Sequence, residues 1–174
     1  MADSSSVRVD ANLLRRLIAE VFAAQGVRPA DAAIAATSLV QADLEGVASH
    51  GVALVPMYVS RLRAKSIVAD AVPGIAEDHG ALLVMDAGNC LGQVSATAAV
   101  ELAIERATRH AVGFVAVRNG FHFGTAGYWA RMIARTGMVA MVLSNTRPLM
   151  PPPGGAVSGA FRPLTAAAST TRTT

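Results

Sequence analysis

The stretch GFVAVRNGFHFGTAGYWA, residues 113–130, decides the fold class of this chain. FVAV at 114–117 is a short apolar run that predicts a buried strand, and NGFHFG at 119–124 is a loop bracketed by glycines. A helix is predicted over residues 125–135, directly after the loop. A strand that leads through a loop into a helix is typical of proteins in which the two element types alternate.

Before this stretch the chain is predicted to be mainly helical. Apolar residues recur with helical spacing over residues 11–25. Pro29 suits the first turn of a second helix, which is predicted over residues 30–44. A third helix is predicted over residues 49–65, where Pro56 should kink or restart it because proline lacks a backbone donor.

The remaining elements complete the order. ALLVMD at 81–86 predicts a short buried strand, residues 93–111 predict an Ala-rich helix closed by Gly113, and MVAMVLS at 138–144 predicts another strand. Three helices are therefore followed by strands that alternate with helices. This order predicts an α/β or α+β fold with an N-terminal helical segment.

The composition predicts a globular protein of a reducing compartment. Of the 174 residues, 52% are hydrophobic and 16% charged, which is apolar enough to bury a core. No uncharged apolar run reaches the roughly 18–20 residues that span a bilayer, and the start lacks the apolar region of a signal peptide. Cys90 is the single cysteine, which excludes an intrachain disulfide, so we expect a cytoplasmic protein.

The charge distribution predicts a small-molecule partner. The net charge is +3, and the arginines are scattered along the chain. Nucleic-acid-binding proteins instead concentrate basic residues on one face or tail. A mildly basic chain suits a small anionic substrate, and we expect neither nucleic acid nor membrane among the partners.

A first candidate cluster is DLEGVASHG, residues 43–51, in which Gly46 and Gly51 bracket Ser49 and His50. A histidine titrates near pH ~6.5, so one held by turns beside a ligand can exchange protons with it. The alternative is that Ser49 is a helix N-cap and His50 an ordinary surface or core residue.

Two further clusters follow predicted strands. RNGFHFG at 118–124 places His122 between two phenylalanines in a loop, and such loops often carry function; the alternative is a packed loop in which His122 bonds to backbone. SNTRPLMPPPGG at 144–155 could hold a carboxylate or phosphate through backbone N–H groups and Arg147, or could be a solvated loop.

Several classes of site are excluded by spacing. Ser49 and His50 are neighbours, so their side chains are expected to diverge and not to form a nucleophile–base pair unaided. The four histidines show no HxxxH or CxxC spacing, which argues against a zinc site. The chain contains no GxGxxG or GxxxxGK[ST] motif, so neither a Rossmann nor a P-loop site is predicted.

Taken together, four stretches resemble the malate/L-lactate dehydrogenase family, which also includes ureidoglycolate dehydrogenases and diketogulonate-type reductases and does not use a Rossmann fold. They are ADLEGVASHGVALVPMYVSRL, VMDAGNCLGQ, GFVAVRNGFHFGTAGYWA and GMVAMVLSNTRPLMPPPGG, in that order. The resemblance runs from about residue 8 to residue 155. Several motifs in order are far more specific than any one of them.

The resemblance implies a homodimeric oxidoreductase that uses NAD or NADP. It would move a hydride between nicotinamide and C2 of a small 2-hydroxy or 2-oxo acid, as with malate or lactate. Either His50 or His122 would be the acid/base, and no metal is implied. On the substrate side it implies Ser49, Asn119, Thr146 and Arg147, and on the cofactor side His122, Gly124, Gly154 and Gly155.

Composition, periodicity and the extent of the resemblance together predict a division of the chain into four segments. They are a disordered leader at 1–9, an N-terminal helical segment at 10–66, an α/β catalytic segment at 67–155 and a low-complexity tail at 156–174.

Two departures from the family pattern stand out. Leu54 occupies a position where the family usually has a cation for the substrate carboxylate, with Arg61, Arg118 and Arg147 as possible replacements. After Gly155 the pattern stops, so we expect a C-terminally truncated protein that lacks part of the cofactor site. The alternative function is therefore an inactive fragment that serves as a dimerisation or binding module. An incomplete fold should also expose apolar surface and associate.

Overall fold

The computed structural model describes residues 8–145 and a strand at residues 164–169. The helices are α1 (Ala11–Ala23), α2 (Pro29–Leu44), α3 (Val55–Arg63), α4 (Gly92–His110) and α5 (Ala126–Ala134). The strands are β1 (Gly74–His79), β2 (Leu82–Asp86), β3 (Phe114–Arg118), β4 (Ala140–Asn145) and β5 (Leu164–Ser169). The predicted order, helices first and then strands alternating with helices, is confirmed.

The first two helices form the centre of the core. Asp10 caps α1, because its carboxylate accepts a hydrogen bond from the Leu13 N–H at 2.8 Å. Phe22 of α1 and Leu39 of α2 are fully buried where the two helices pack together. Three alanines of α2, Ala32, Ala35 and Ala36, are also fully buried in this core.

The third predicted helix is divided as its proline required. Two short 3-10 turns, Ala48–His50 and Val52–Leu54, come first, and α3 begins only at Val55. Pro56 lies in the first turn of α3, where its missing N–H would have no partner in any case. The 3-10 turns place the SHG motif outside the regular helix, at the edge of the core.

The three-stranded sheet has the order β1-β2-β3. β1 pairs antiparallel with β2, and β2 pairs parallel with β3 through the crossover helix α4. The carboxyl-terminal ends of β2 and β3 therefore lie at the same end of the sheet. This end carries Asp86, the last residue of β2, and the 119–124 loop, which follows β3. The prediction that FVAV is a buried strand was wrong for the described residues, because β3 lies at the edge of its sheet and leaves Phe114 53% and Val117 42% exposed.

Two details correct the sequence-based boundaries. The helix predicted over 93–111 is closed by Ala111, which has a left-handed φ of 65°, and not by Gly113. Gly113 has another cause: a Cβ there would lie 2.2 Å from the carbonyl oxygen of Ala103. Within the predicted low-complexity tail, β5 pairs antiparallel with β4. The four-segment division stays a prediction, and residues 1–7 of the leader lie outside the described residues.

Several apolar side chains face solvent in the described part of the chain. On α1 they include Leu13, Leu17 and Val21, each 40–47% exposed and spaced four residues apart. One turn of helix separates each from the next, so they form a stripe on the side of α1 away from the core. Among the described helices, none is long and apolar enough to cross a membrane.

Candidate active site

The structure brings the two predicted histidine motifs together. His50 ends the first 3-10 turn, and His122 lies in the loop after β3. Their rings are stacked, with centroids 5.4 Å apart and an interplanar angle of 29°. Both side chains are half-buried, and neither Nε2 atom has a hydrogen-bond partner within residues 8–145. Each imidazole therefore keeps one nitrogen for a ligand.

Ser49 is oriented differently from what its sequence position suggested. Its Oγ lies 3.0 Å from Nδ1 of His50, so the prediction that the two side chains diverge was wrong. The alternative that Ser49 caps a helix was also wrong, because the N-cap position of the 3-10 turn is Val47 and no side chain caps it. The turn folds the two neighbouring side chains onto each other, and the exposed hydroxyl remains open to a substrate.

Asp43 holds the SHG motif in place, a role that sequence analysis did not assign. Its Oδ2 accepts a hydrogen bond from the Val52 N–H at 2.9 Å. Gly51 is buried, and a Cβ there would lie 1.9 Å from Oδ1 of Asp43. The carboxylate at the end of α2 can therefore close on the 3-10 turns only because residue 51 is glycine. The signal available in the sequence was the acidic residue that opens the DLEGVASHG motif.

His122 is held by two buried polar side chains that sequence analysis also missed. The Tyr58 hydroxyl lies 2.6 Å from Nδ1 of His122 and donates to the carbonyl oxygen of the same residue at 3.1 Å. Nε2 of Gln93 donates to the Tyr58 oxygen at 2.7 Å. Tyr58 and Gln93 are both fully buried. The ring of His122 thus bonds to a side chain, not to backbone as the alternative interpretation of this loop expected.

Burial sets the charge states of this group. It lowers the pKa of His122, and the positive form of His50 beside it lowers that pKa further. Burial raises the pKa of Tyr58 well above its usual range, although the Gln93 hydrogen bond opposes the shift. At neutral pH His122 is therefore predominantly neutral and Tyr58 keeps its proton.

Two glycines let the His122 loop pack against its neighbours. A Cβ on Gly92, at the start of α4, would lie 2.2 Å from the carbonyl oxygen of His122. Gly124 has a left-handed φ of +86°, and a Cβ there would lie 3.2 Å from Oγ of Ser38. These contacts give Gly124 a structural reason to be glycine. A cofactor role for it stays a prediction, and the predicted cofactor-side Gly154 and Gly155 lie outside the described residues.

Asp86 anchors the other end of the loop. Its carboxylate accepts hydrogen bonds from Nε of Arg118 at 2.9 Å and from Nδ2 of Asn119 at 3.0 and 3.1 Å. The Gly88 N–H, Asn119 and Arg118 together lower the pKa of Asp86, in that order of size. Asn119 also has a left-handed φ of 53°. The side-chain amide of Asn119 thus bonds to Asp86 and holds the start of the loop.

The cation that the family usually places at the position of Leu54 is absent from this chain. Leu54 is half-buried and packs against the main hydrophobic core cluster. Of the possible replacements, Arg118 is paired with Asp86, Arg61 is exposed, and Arg147 lies outside the described residues together with the predicted Thr146. Within the described residues, no group of three or more side chains could hold a metal ion.

Comparison with known protein families and with curated proteins finds relatives that match most of this chain. The model of the family described as malate/L-lactate dehydrogenase matches residues 9–161. The chain is 37% identical over 153 residues to a malate dehydrogenase of Pyrococcus abyssi, a match covering 88% of this chain and 42% of that protein. It is 39% identical over 141 residues to an L-sulfolactate dehydrogenase of Methanocaldococcus jannaschii, covering 81% of this chain and 41% of the relative. The chain therefore spans about two fifths of the length of these curated relatives.

A further relative has a nicotinamide cofactor in its name. It is the (2R)-3-sulfolactate dehydrogenase (NADP(+)) of Chromohalobacter salexigens, 36% identical over 132 residues, covering 76% of this chain and 39% of that protein. Among solved structures, malate dehydrogenase from Pyrococcus horikoshii OT3 matches with a TM-score of 0.88 and 34% identity, over 100% of this chain and 50% of that chain. Because the family model spans both histidine motifs and the fold agrees, this chain belongs to the malate/L-lactate dehydrogenase family.

Proposed function

We propose that the protein is an NAD- or NADP-dependent oxidoreductase that transfers a hydride between nicotinamide and C2 of a small 2-hydroxy or 2-oxo acid. The observation that carries this proposal is the stacked pair of His50 and His122, each with a free Nε2 within the described residues, in a chain of this family. The relatives named for malate and sulfolactate support a small acid as the substrate.

His122 is the proposed acid/base. Reduction of a ketone places negative charge on the oxygen at C2, and a nearby imidazolium can protonate it; oxidation removes the same proton. The lowered pKa of His122 makes it a proton acceptor at neutral pH. His50, which is hydrogen-bonded to Ser49 and stacked on His122, is the proposed hydrogen-bond donor to the substrate.

The described residues fit one side of a cofactor site. The half-buried His122 offers a free Nε2 at the sheet edge, and Gln93 and Tyr58 keep its ring fixed. When bound, nicotinamide supplies or accepts the hydride. Ser49 and His50 would hold the substrate, with Thr146 and Arg147 as further proposed contacts. Asn119 would orient the loop through Asp86.

The test is a turnover assay on the purified chain with NADH or NADPH and a panel of 2-oxo acids, together with calorimetry of each cofactor. We expect cofactor oxidation with at least one acid. The His122→Gln variant should lower kcat by about 10²–10⁴-fold, the usual share of general acid/base catalysis. His79→Gln, an exposed histidine on β1, is the control. Absence of both cofactor binding and turnover would overturn the proposal.

A second candidate is a binding module that acts without turnover. The exposed stripe of Leu13, Leu17 and Val21 on α1 favours it, because exposed apolar stripes are typical of association surfaces. We propose a homodimer as the product of that association. Sedimentation of the chain at increasing concentration tests this, and a monomer at every concentration would contradict it.

A further inference from the structure

Tyr58 is a buried side chain with three hydrogen-bond contacts around one oxygen. The hydroxyl lies 2.6 Å from Nδ1 of His122, 3.1 Å from the carbonyl oxygen of His122 and 2.7 Å from Nε2 of Gln93. A hydroxyl has one proton to donate and two lone pairs to accept with. Three hydrogen bonds, of which the hydroxyl donates one and accepts two, therefore satisfy it completely.

Only one assignment satisfies all three contacts together. The Gln93 amide N–H can only donate, and the carbonyl oxygen of His122 can only accept. The single Tyr58 proton must then point at the carbonyl. The remaining lone pair faces Nδ1, so Nδ1 must carry a proton and donate it to Tyr58. If Tyr58 donated to Nδ1 instead, one lone pair and the carbonyl contact would be left unmatched in a buried place.

We propose that Tyr58, oriented by Gln93, is a positioning residue that keeps the proton of neutral His122 on Nδ1 and so leaves Nε2 free to accept one. This inference rests on the proposed function, in which His122 moves the proton. Nδ1 donates to Tyr58 in both charge states of the ring, so no buried bond is broken when Nε2 gains or loses its proton.

The proton balance is simple. In oxidation, Nε2 takes the proton of the substrate hydroxyl while the hydride leaves C2 for nicotinamide; in reduction, Nε2 returns that proton to the oxygen. Tyr58 neither gains nor loses a proton, in agreement with its raised pKa. Among the described residues, the titratable groups that face His122 are Tyr58 and His50.

Gly92 fixes the acceptor end of this arrangement. The carbonyl oxygen of His122 packs so closely on Gly92 that a Cβ there would lie 2.2 Å away. The backbone of the loop and the start of α4 are therefore in contact where the Tyr58 proton points. Tyr58 holds His122 at two atoms, which restricts rotation of the ring.

The test reads the tautomer directly, without turnover. In protein labelled with 15N-histidine, NMR should show a protonated Nδ1 and an unprotonated Nε2 for neutral His122. Tyr58→Phe should shift the population toward the Nε2–H form. The matched control is Tyr128→Phe, the other tyrosine of the chain, which contacts Trp129 and lies outside this group.

The kinetic readout follows the same variants. Tyr58→Phe should lower kcat at least about tenfold with little change in KM, since proton transfer is impaired and binding is not. It should also shift the acid limb of the kcat/KM profile to lower pH, because the charged ring loses an acceptor. Tyr128→Phe should change neither quantity.

The outcomes separate the two proposals. A wild-type His122 with its proton on Nε2, or a Tyr58→Phe variant with unchanged tautomer and pH profile, overturns the role of Tyr58 even if turnover is normal. The expected tautomer in a protein that neither binds a cofactor nor shows turnover supports the role of Tyr58 and overturns the proposed function. If Tyr58→Phe does not fold, the wild-type spectrum alone decides.

Discussion

A Cβ placed on Gly51 would lie 1.9 Å from Oδ1 of Asp43, so the carboxylate and the glycine occupy adjoining space with no room to spare. Gly51→Ala should displace Asp43 and break its bond to the Val52 N–H. We expect a loss of about 1–3 kcal/mol in the free energy of unfolding, the usual cost of losing such a charge-assisted bond. Urea unfolding measures it. Gly74→Ala, which meets nothing within 4 Å, is the control, and equal stability of the two variants would contradict the prediction.

Gly92→Ala should be the more damaging substitution for the site. The clash at 2.2 Å is with the backbone oxygen of His122, which cannot rotate away as a side chain can. We expect about 1–3 kcal/mol of destabilisation from overpacking, together with a loss of the Tyr58 contacts to His122. Unfolding and the NMR signals of the His122 ring report the two effects. A variant with native His122 signals would show that the loop can move without harm.

His50→Gln should raise the pKa of His122, since the positive form of His50 contributes to lowering it. Burial alone keeps the pKa below the ordinary value of about 6.5. Between the folded-state pKa of His122 and about pH 6.5, the unfolded chain binds more protons than the folded chain. Stability therefore rises with pH across this range, and it is lost as the pH falls from about 6.5 toward the folded pKa. His50→Gln should weaken that dependence. NMR titration of His122 checks the shift, and His79→Gln should leave it unchanged.

Asn119 combines a backbone role with a side-chain role, and two variants separate them. Asn119→Gly removes the hydrogen bonds to Asp86 but suits the φ of 53°, whereas Asn119→Ala loses the bonds and adds backbone strain. We expect Asn119→Ala to be less stable by about 1 kcal/mol than Asn119→Gly. In both variants the pKa of Asp86 should rise toward its ordinary value, as measured by 13C NMR. Equal stabilities would mean that the left-handed conformation relaxes.

The stripe on α1 makes a prediction about association. Leu17→Gln combined with Leu13→Gln should reduce self-association, because both side chains are exposed on the face away from the core. Sedimentation equilibrium compares the variant with the wild type. Glu20→Gln, an exposed polar change on the same helix, is the control. If the double variant and the wild type sediment alike, the chain associates through another surface.

Local rules predicted most of the helical segment. Pro29 and Pro56 both lie in first turns, because proline restricts φ and lacks a donor wherever it stands. The prediction that Gly113 caps the helix was wrong, because the reason for this glycine is not local. That glycine is required by the distant Ala103, and such a contact leaves no periodicity or spacing in the sequence.

The sequence predicted the two histidines of the candidate site but not the buried side chains that hold His122 in place. His50 and His122 were found because histidines beside glycines in loops are conspicuous, and the structure brings their rings together. Tyr58 and Gln93 lie in stretches already singled out, yet a tyrosine on an amphipathic helix is usually an ordinary core residue. Their role depends on a contact made across the fold, 2.6 Å long, that no local pattern encodes.

The parallel pairing that sets Asp86 opposite Arg118 has a consequence for how the site is assembled. A slip of one residue between β2 and β3 would translate β3 by about 3.3 Å and turn each of its side chains to the other face. Arg118 could then no longer pair with Asp86, and the histidine that follows would be carried away from its tyrosine. The position of His122 beside Tyr58 therefore depends on the register between β2 and β3, and the Asp86–Arg118 ion pair forms only in that register.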